Sequence, residues 1–362
     1  MTIPQRVMSS PYMQWAKTQS HTKFNMATSG VKHYPLSGLP VRLEELAISG
    51  PSYYGFPPLQ QALATKSQVD VNCVVAPTGA SMANHLAMAA VLEPGDEVLI
   101  EEPTYELLTD AAGYLQANIK RFPRRFEAGF AVDVAEIERA ITPRTRLIVL
   151  TNLHNPSSQY TPPEVMKQVG ELARSVGARV LVDEIYLDAL FESAPASVFH
   201  LGNEFIATSS LTKVYGLSGL RCGWVLAEPD LCSRMWLLND LFGVIPAHTA
   251  ELLSCIALAN LPTVAAWAKQ LLTENQKLLT QFLAATPQVE SAPLTAGTVV
   301  FPRTDLPVDD FCRFLRKRYE ATVVPGHFFG RKQHFRIGIG GDTDPLREGL
   351  DRLHDALARF GS

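Results

Sequence analysis

Phe205-Ile206-Ala207-Thr208-Ser209-Ser210-Leu211-Thr212-Lys213-Val214-Tyr215-Gly216-Leu217-Ser218-Gly219-Leu220-Arg221-Cys222-Gly223 joins a short uncharged run to a Ser- and Gly-rich turn that carries one lysine and one arginine. A run without charge or alternation suits a strand buried on both faces. A lysine just past the end of such a strand, Lys213, is a candidate nucleophile if its surroundings lower its pKa. Arg221 offers a planar fork that could meet a phosphate.

The same grammar repeats on both sides of this stretch. Strand-like runs stand at Cys73–Ala76, Glu97–Glu101, Arg146–Thr151, Arg179–Val182 and Gly223–Ala227. Helical patterns lie between several of them: Ser81–Leu92, Tyr105–Leu115 and Pro163–Val176. Strand and helix in alternation predict an α/β domain with a mainly parallel sheet, of the seven-stranded type flanked by helices. Residues 230–285 are mostly helical in pattern. Residues 290–362 mix short strands (Thr298–Pro302, Phe335–Ile339) with helices (Val308–Tyr319, Pro345–Arg359), which predicts a smaller α+β domain. The expected division is an N-terminal arm over 1–45 that joins the small domain, a large domain over 46–245, and a C-terminal small domain with its connecting helix over 246–362.

Ligands of open α/β sheets gather at the carboxyl ends of the strands. After Cys73–Ala76 the chain has Pro77-Thr78-Gly79-Ala80-Ser81 and then a helix, so Gly79, Ala80 and Ser81 offer backbone N–H groups to an anion. The competing reading is a plain helix start with Ser81 near its cap. After Glu97–Glu101 comes Tyr105, able to stack on a planar ligand or simply to fill the rim of the core. After Arg146–Thr151 comes the turn Asn152-Leu153-His154-Asn155-Pro156, where Asn155 offers an amide. After Arg179–Val182 comes Asp183, then Tyr186. A carboxylate there is costly unless something pairs with it, and a protonated ring nitrogen or a metal would both serve. Ser210 and Lys213 end the next strand.

With 362 residues, a formal net charge of -4, 46% apolar and 19% charged residues, the chain is a folded globular protein with no basic face for nucleic acid. Five cysteines without CxxC spacing, and a start without an apolar h-region, lead to the expectation of reduced thiols in a cytoplasmic protein. Apolar stretches fall short of the ~20 residues of a membrane helix.

Taken together, these strand ends resemble the fold-type I pyridoxal 5′-phosphate (PLP) enzymes, the class I/II aminotransferases, from about Tyr53 to Gly340. The specific motifs are Asn155-Pro156, Asp183-Glu184-Ile185-Tyr186, and Ser210-x-x-Lys213 followed by Gly219-Leu220-Arg221-x-Gly223. Supporting matches are Glu93-Pro94-Gly95-Asp96, Pro103-Thr104-Tyr105, Pro325-Gly326-x-x-Phe329-Gly330 and Arg336-Ile337-x-Ile339-Gly340.

The resemblance implies that Lys213 forms a Schiff base with PLP and moves the Cα proton. It implies that Asp183 pairs with the pyridinium nitrogen, that Tyr186 and Asn155 bond the phenolic oxygen, and that Tyr105 stacks on the ring. Gly79, Ala80, Ser81, Ser210 and Arg221 would hold the phosphate. Arg336, with Asn155 and Gly30, would take the substrate α-carboxylate. The implied reaction moves an amino group between an L-amino acid and a 2-oxo acid. The implied assembly is a homodimer in which Tyr53 or Tyr54 reaches the partner site.

The chain departs from the pattern where Asn-Pro-x-Asn-Pro-Thr-Gly reads Asn152-Leu153-His154-Asn155-Pro156-Ser157-Ser158, and where Gln60 stands for the usual arginine. No second arginine is placed to read a dicarboxylate; Arg124, Arg125, Arg303 and Arg331 are expected on the surface. A β-lyase or another Cα-carbanion enzyme of the same fold is the alternative. From a different class, Ser210-x-x-Lys213 also fits a serine acyl-transfer enzyme, whose accompanying Ser/Tyr-x-Asn and Lys-Thr-Gly motifs are missing here.

Overall fold

The structure, a computed structural model, describes residues 5–294 and 296–360; residues 1–4 of the expected arm, and Thr295 and 361–362 of the expected C-terminal part, lie outside the described residues. In chain order the elements are α1 (Pro11–Thr18), β1 (Phe24–Asn25), α2 (Pro57–Ser67), β2 (Val74–Val75), α3 (Gly79–Ala89), β3 (Glu97–Glu102), α4 (Glu106–Tyr114), β4 (Asn118–Pro123), α5 (Val134–Ala140), β5 (Thr145–Thr151), α6 (Pro163–Ser175), β6 (Arg179–Asp183), β7 (Phe205–Ser210), β8 (Gly223–Leu226), α7 (Pro229–Asn239), α8 (His248–Ala259), α9 (Leu261–Ala285), β9 (Val299–Val300), α10 (Val308–Tyr319), β10 (Ala321–Thr322), β11 (Val324–Pro325), β12 (Phe335–Gly338) and α11 (Thr343–Arg359).

Seven strands make one sheet in the order β2-β8-β7-β6-β5-β3-β4. From β4 to β7 every pair is parallel, while β8 runs antiparallel to β7 and β2. The parallel strands are apolar because helices cover both faces: Leu147 to Leu150 and Val180 to Val182 are fully buried. The chain leaves β3 for β4 on one side and returns to β5 on the other. That reversal opens a crevice at the carboxyl ends of β3 and β5, the usual ligand position in such sheets. The sequence reading did not name β4. Its Asn-Ile-Lys-Arg-Phe-Pro is an edge strand with two cations and a proline, so it lacks the buried signature of its neighbours.

A second core forms where α9, α10 and α11 pack on the antiparallel sheet β11-β12-β9. Part of the N-terminal arm joins it, since β1 pairs with β10 and Phe24, Met26 and Val31 enter this core, whereas α1 is bonded to Glu106 of α4 and Leu39 sits in the large core. The boundary expected at residue 245 falls later. Helix α8 packs on α2, and Ala257 and Val264 sit in the large core, whereas Ala268 and the residues after it sit in the second, so α9 runs from one core into the other. Among the described residues no single helix is long and apolar enough to cross a membrane.

Candidate active site

Helix α3 begins at Gly79, with Thr78 as its N-cap, two residues before the expected start at Ser81. Gly79, Ala80 and Ser81 are therefore the first turn, whose N–H groups have no partner within the helix. Gly79 has a φ of 80°, and a Cβ there would lie 2.3 Å from Arg221 Nη2; a Cβ at Gly223 would lie 2.3 Å from the Gly79 carbonyl carbon. The two glycines let β8, Arg221 and the head of α3 meet. Arg221 itself is in the left-handed region at φ 51°, which turns its side chain back toward that helix start. Gly79 N is bonded to Pro77 O, so the N–H groups of Ala80 and Ser81 and the guanidinium of Arg221 are the donors gathered at the head of α3, a set suited to a phosphate dianion. Ser210 is buried at the end of β7, and its Oγ accepts from Thr212 N at 3.1 Å.

Asp183 ends β6 with 3% of its surface exposed. Oδ2 accepts from Asn84 Nδ2 at 2.8 Å and Oδ1 from Ile185 N at 3.1 Å. Asn84 is fixed in turn by Thr208, whose hydroxyl donates to its Oδ1 at 2.5 Å. Burial pushes the Asp183 carboxyl up to about 6 against the pull of these bonds and of the nearby Lys213 charge. A carboxylate held this way, without an ion-pair partner at contact distance among the described residues, fits a cationic ring N–H. Among the described residues no group of three or more His, Cys, Asp or Glu is gathered to hold a metal, so the donor set favours the ring over the metal left open for Asp183.

Lys213 is half-buried, and its amine is pushed down to about 8, by desolvation first and then by the Arg336 and Arg221 charges, against Asp183. Nζ donates to Ser29 Oγ at 3.0 Å, and Ser29 Oγ also accepts from Tyr186 OH at 2.8 Å. Gly30 lies against the lysine stem, where a Cβ would sit 3.2 Å from Lys213 Cδ. Burial raises the Tyr186 and Tyr105 phenols above their usual range, so both are neutral donors at physiological pH. The acyl-transfer reading needs the lysine to serve Ser210; here Lys213 is bonded to Ser29.

Arg336 comes from β12, where Phe335 and Ile337 face the helical core and the residue between them faces the other way. It is fully buried. Nη1 donates to Asn155 Oδ1 at 2.9 Å; Nη2 donates to Tyr12 OH at 3.0 Å and to Ala27 O at 2.9 Å. Nε has no partner. A buried guanidinium with an idle N–H and no carboxylate beside it is a receptor for one. The residues fit PLP as a set: a phosphate cradle, a carboxylate for the ring nitrogen, neutral phenols and an amide for the ring oxygen, and an amine of lowered pKa.

Of the expected residues, Lys213 and Tyr186 meet at Ser29, Gly30 lies against Lys213, Arg336 bonds Asn155, Gly79 adjoins Arg221, and Asp183 and Ser210 end the neighbouring strands β6 and β7; Ala80 and Ser81 follow Gly79 in the first turn of α3, and Tyr105 packs on Tyr12, which bonds Arg336. Tyr53 and Tyr54 do not join them; both are exposed, in the segment before α2. Arg124, expected on the surface, is fully buried and paired with Glu101 at 2.7 Å, while Glu101 also accepts from Thr151 N and Oγ1. It braces the ends of β3 and β5 and is closed to substrate. Sequence reasoning missed Ser29, Asn84, Thr208 and Tyr12. Asn84 left a signal, a lone amide in the apolar run Ala83-Asn84-His85-Leu86. Tyr12 left none, since its partner lies 324 residues away.

Residues 45–353 match the family Aminotransferase class I and II. Capreomycidine synthase of Streptomyces vinaceus is 29% identical over 98% of this chain and 95% of its own. Arginine–pyruvate transaminase AruH of Pseudomonas aeruginosa is 31% identical over 79% of this chain and 75% of its own. A solved PLP-dependent aminotransferase from Streptococcus suis 89-1591 superposes with a TM-score of 0.92 over 99% of this chain and 100% of that one, at 24% identity, which shows the fold. The crevice that gathers Lys213, Asp183 and Arg336 is accordingly the site of a PLP-dependent enzyme, and the chain belongs to the class I and II aminotransferase family.

Proposed function

We propose that this enzyme moves an amino group between an L-amino acid and a 2-oxo acid. The observation that carries the reading is the buried Arg336 with an idle Nε in the same electrostatic neighbourhood as an amine of lowered pKa, Lys213. PLP, when bound, supplies an electrophilic aldehyde and a ring that accepts the electrons of a broken Cα bond. The protein's residues do the rest. Lys213 would hold the cofactor and would be the base that carries the proton at Cα. Asp183 keeps the ring nitrogen protonated. Tyr186 and Asn155 would donate to the ring oxygen, and Ser29 Oγ, which accepts from both Tyr186 and Lys213, ties the two together. Arg336 takes the α-carboxylate and so fixes which Cα bond faces the ring.

Capreomycidine synthase matches along nearly the whole chain, and this supports a second reading in which the same Cα proton loss ends in cyclisation or elimination. The deciding experiment incubates the holoenzyme with single amino acids, arginine first, against pyruvate and 2-oxoglutarate. A new amino acid together with a new 2-oxo acid is expected. Ammonia or a cyclised product without amino transfer would replace transamination by the second reading.

Lys213→Ala is expected to lose covalent capture of PLP on borohydride reduction, seen by mass spectrometry, and to lose on the order of 10²–10⁴-fold in turnover for want of its acid–base group. Retention of a covalent adduct would end the assignment of Lys213.

We propose further that the working unit is a homodimer. The segment 47–55 lies beside 236–249: Thr249 Oγ1 donates to Ala47 O, His248 crowds Gly50, and Trp236 crowds Gly55. The exposed side chains of Ile48, Tyr53, Tyr54, Leu237, Leu241, Phe242, Val244 and Ile245 therefore belong to one surface, which a second copy would cover.

A further inference from the structure

Tyr12 lies on α1, in the N-terminal arm, and its hydroxyl touches the carboxylate receptor directly. The arm is tied down at this point. Ser10 caps the helix, accepting from Met13 N at 3.3 Å. The Glu106 carboxylate of α4 accepts from Ser10 Oγ at 3.0 Å and from Tyr12 N at 2.6 Å, which also sets a negative charge at the helix's positive end. The Tyr12 ring packs edge-on against Tyr105 at 5.7 Å and Phe328 at 5.6 Å, and Arg336 lies over it at 5.8 Å. Tyr12 is 7% exposed. Ring and backbone are thus both fixed, and little freedom is left to the hydroxyl.

The bookkeeping of hydrogens is specific. A guanidinium has five N–H donors. Three of Arg336's are committed, one from Nη1 to Asn155 and two from Nη2 to Tyr12 and Ala27; the second Nη1–H and the Nε–H are not, and Nε has no partner at all. Tyr12 accepts from Nη2, so its own O–H hydrogen must point elsewhere, and among the described residues it has no acceptor. Among the donors left without acceptors at this place are Arg336 Nε–H and Tyr12 O–H. A buried donor without an acceptor is costly, and one anion would satisfy both.

We propose that Tyr12 is a substrate-binding residue: its hydroxyl donates to one oxygen of the substrate α-carboxylate while Arg336 donates to the other. The arm is then part of the active site rather than a cover over it. The proposal rests on the reading of Arg336 as the carboxylate receptor.

The test titrates PLP-loaded protein by its visible absorbance with two probes. 2-Methylalanine carries an α-carboxylate and no α-hydrogen, so it binds without turnover. Isopropylamine is the same amine without the carboxylate. Tyr12→Phe keeps the ring and its packing and removes only the hydroxyl. It is expected to weaken 2-methylalanine about tenfold or more, the cost of a hydrogen bond to a charged group, and to leave isopropylamine unchanged. Equal losses for both probes would make the hydroxyl merely structural, and unchanged or tighter 2-methylalanine binding would make it a competitor for Arg336; either result overturns the proposal. Arg336→Lys separates the two levels. If it weakens 2-methylalanine and Tyr12→Phe does not, only Tyr12 loses its role. If the unaltered protein shows no preference for 2-methylalanine over isopropylamine, the receptor reading falls and the Tyr12 proposal with it.

Discussion

Lys213 and Asp183 share one physical predicament: each carries its charge into a site that strips water from it. Burial favours the neutral form of both, so the amine moves down and the carboxyl moves up. The consequence differs for each. At pH 7 an amine titrating at about 8 is roughly one-tenth neutral, against roughly one part in 2,500 for an unshifted lysine. Capture of PLP by the cofactor-free protein is therefore expected to accelerate as pH rises toward 8 and to level off above it, followed as growth of the visible absorbance after mixing. A rate still climbing tenfold per pH unit beyond 9 would show that Lys213 keeps its ordinary pKa. Below about pH 6 Asp183 gains a proton in the empty site and loses its hold on a cationic ring, so the affinity for PLP is expected to fall there. Asp183→Asn, nearly equal in shape, is expected to bind PLP while losing on the order of 10²–10³-fold in turnover, as when a charge-stabilising contact is removed. Unchanged turnover would remove the carboxylate from the chemistry.

At the scale of elements, the site depends on how closely three backbones approach. The head of α3 meets β8 and Arg221 only because positions 79 and 223 have no side chain. Gly79→Ala places a Cβ against the guanidinium and forces a non-glycine residue to φ 80°, a strain of order 1–3 kcal/mol. Both a lower Tm and a weaker hold on PLP are expected, the second exceeding what phosphate-free pyridoxal shows. Equal losses for PLP and pyridoxal would mean that the phosphate cradle is intact.

This scale also explains what the sequence disclosed. Strands buried on both faces announce themselves as short continuous apolar runs, so the middles of β3, β5, β6 and β7, and with them Asp183 and Lys213 at or beyond their ends, were legible. Edge strand β4 was not, because water on one side permits Lys120 and Arg121. Arg124 was misjudged for a related reason. Nothing local to it announces Glu101, its partner across β3, and a lone arginine looks like surface until that pairing is seen. The helper residues Ser29 and Asn84 were hidden because their roles come from partners 157 and 99 residues away, set by the tertiary fold.

For the whole molecule, the question is what covers the apolar face beside the phosphate cradle. Ile48 is 94% exposed, Tyr53 81% and Leu241 76%, exposures that a lone soluble surface seldom gathers in one place. The face adjoins the site. Phe242 packs edge-on against His85 of α3 at 5.2 Å, one turn beyond the helix head that would receive the phosphate. A second copy seated there would bury these side chains and bring the partner's Tyr53 or Tyr54 within range of that phosphate. Assembly and cofactor binding should then be coupled, because a ligand that binds only the assembled form stabilises it by mass action. Leu241→Arg sets a charge on the face at a side chain that is itself assigned no part in the chemistry. It is expected to shift the protein from dimer to monomer in sedimentation equilibrium and, in the same samples, to weaken the hold on PLP. The loss of affinity should shrink as protein concentration is raised, since concentration restores the dimer. A monomeric variant that holds PLP as tightly as the parent would separate the two, leaving a complete phosphate site in each subunit and assigning Tyr53 and Tyr54 to the interface alone.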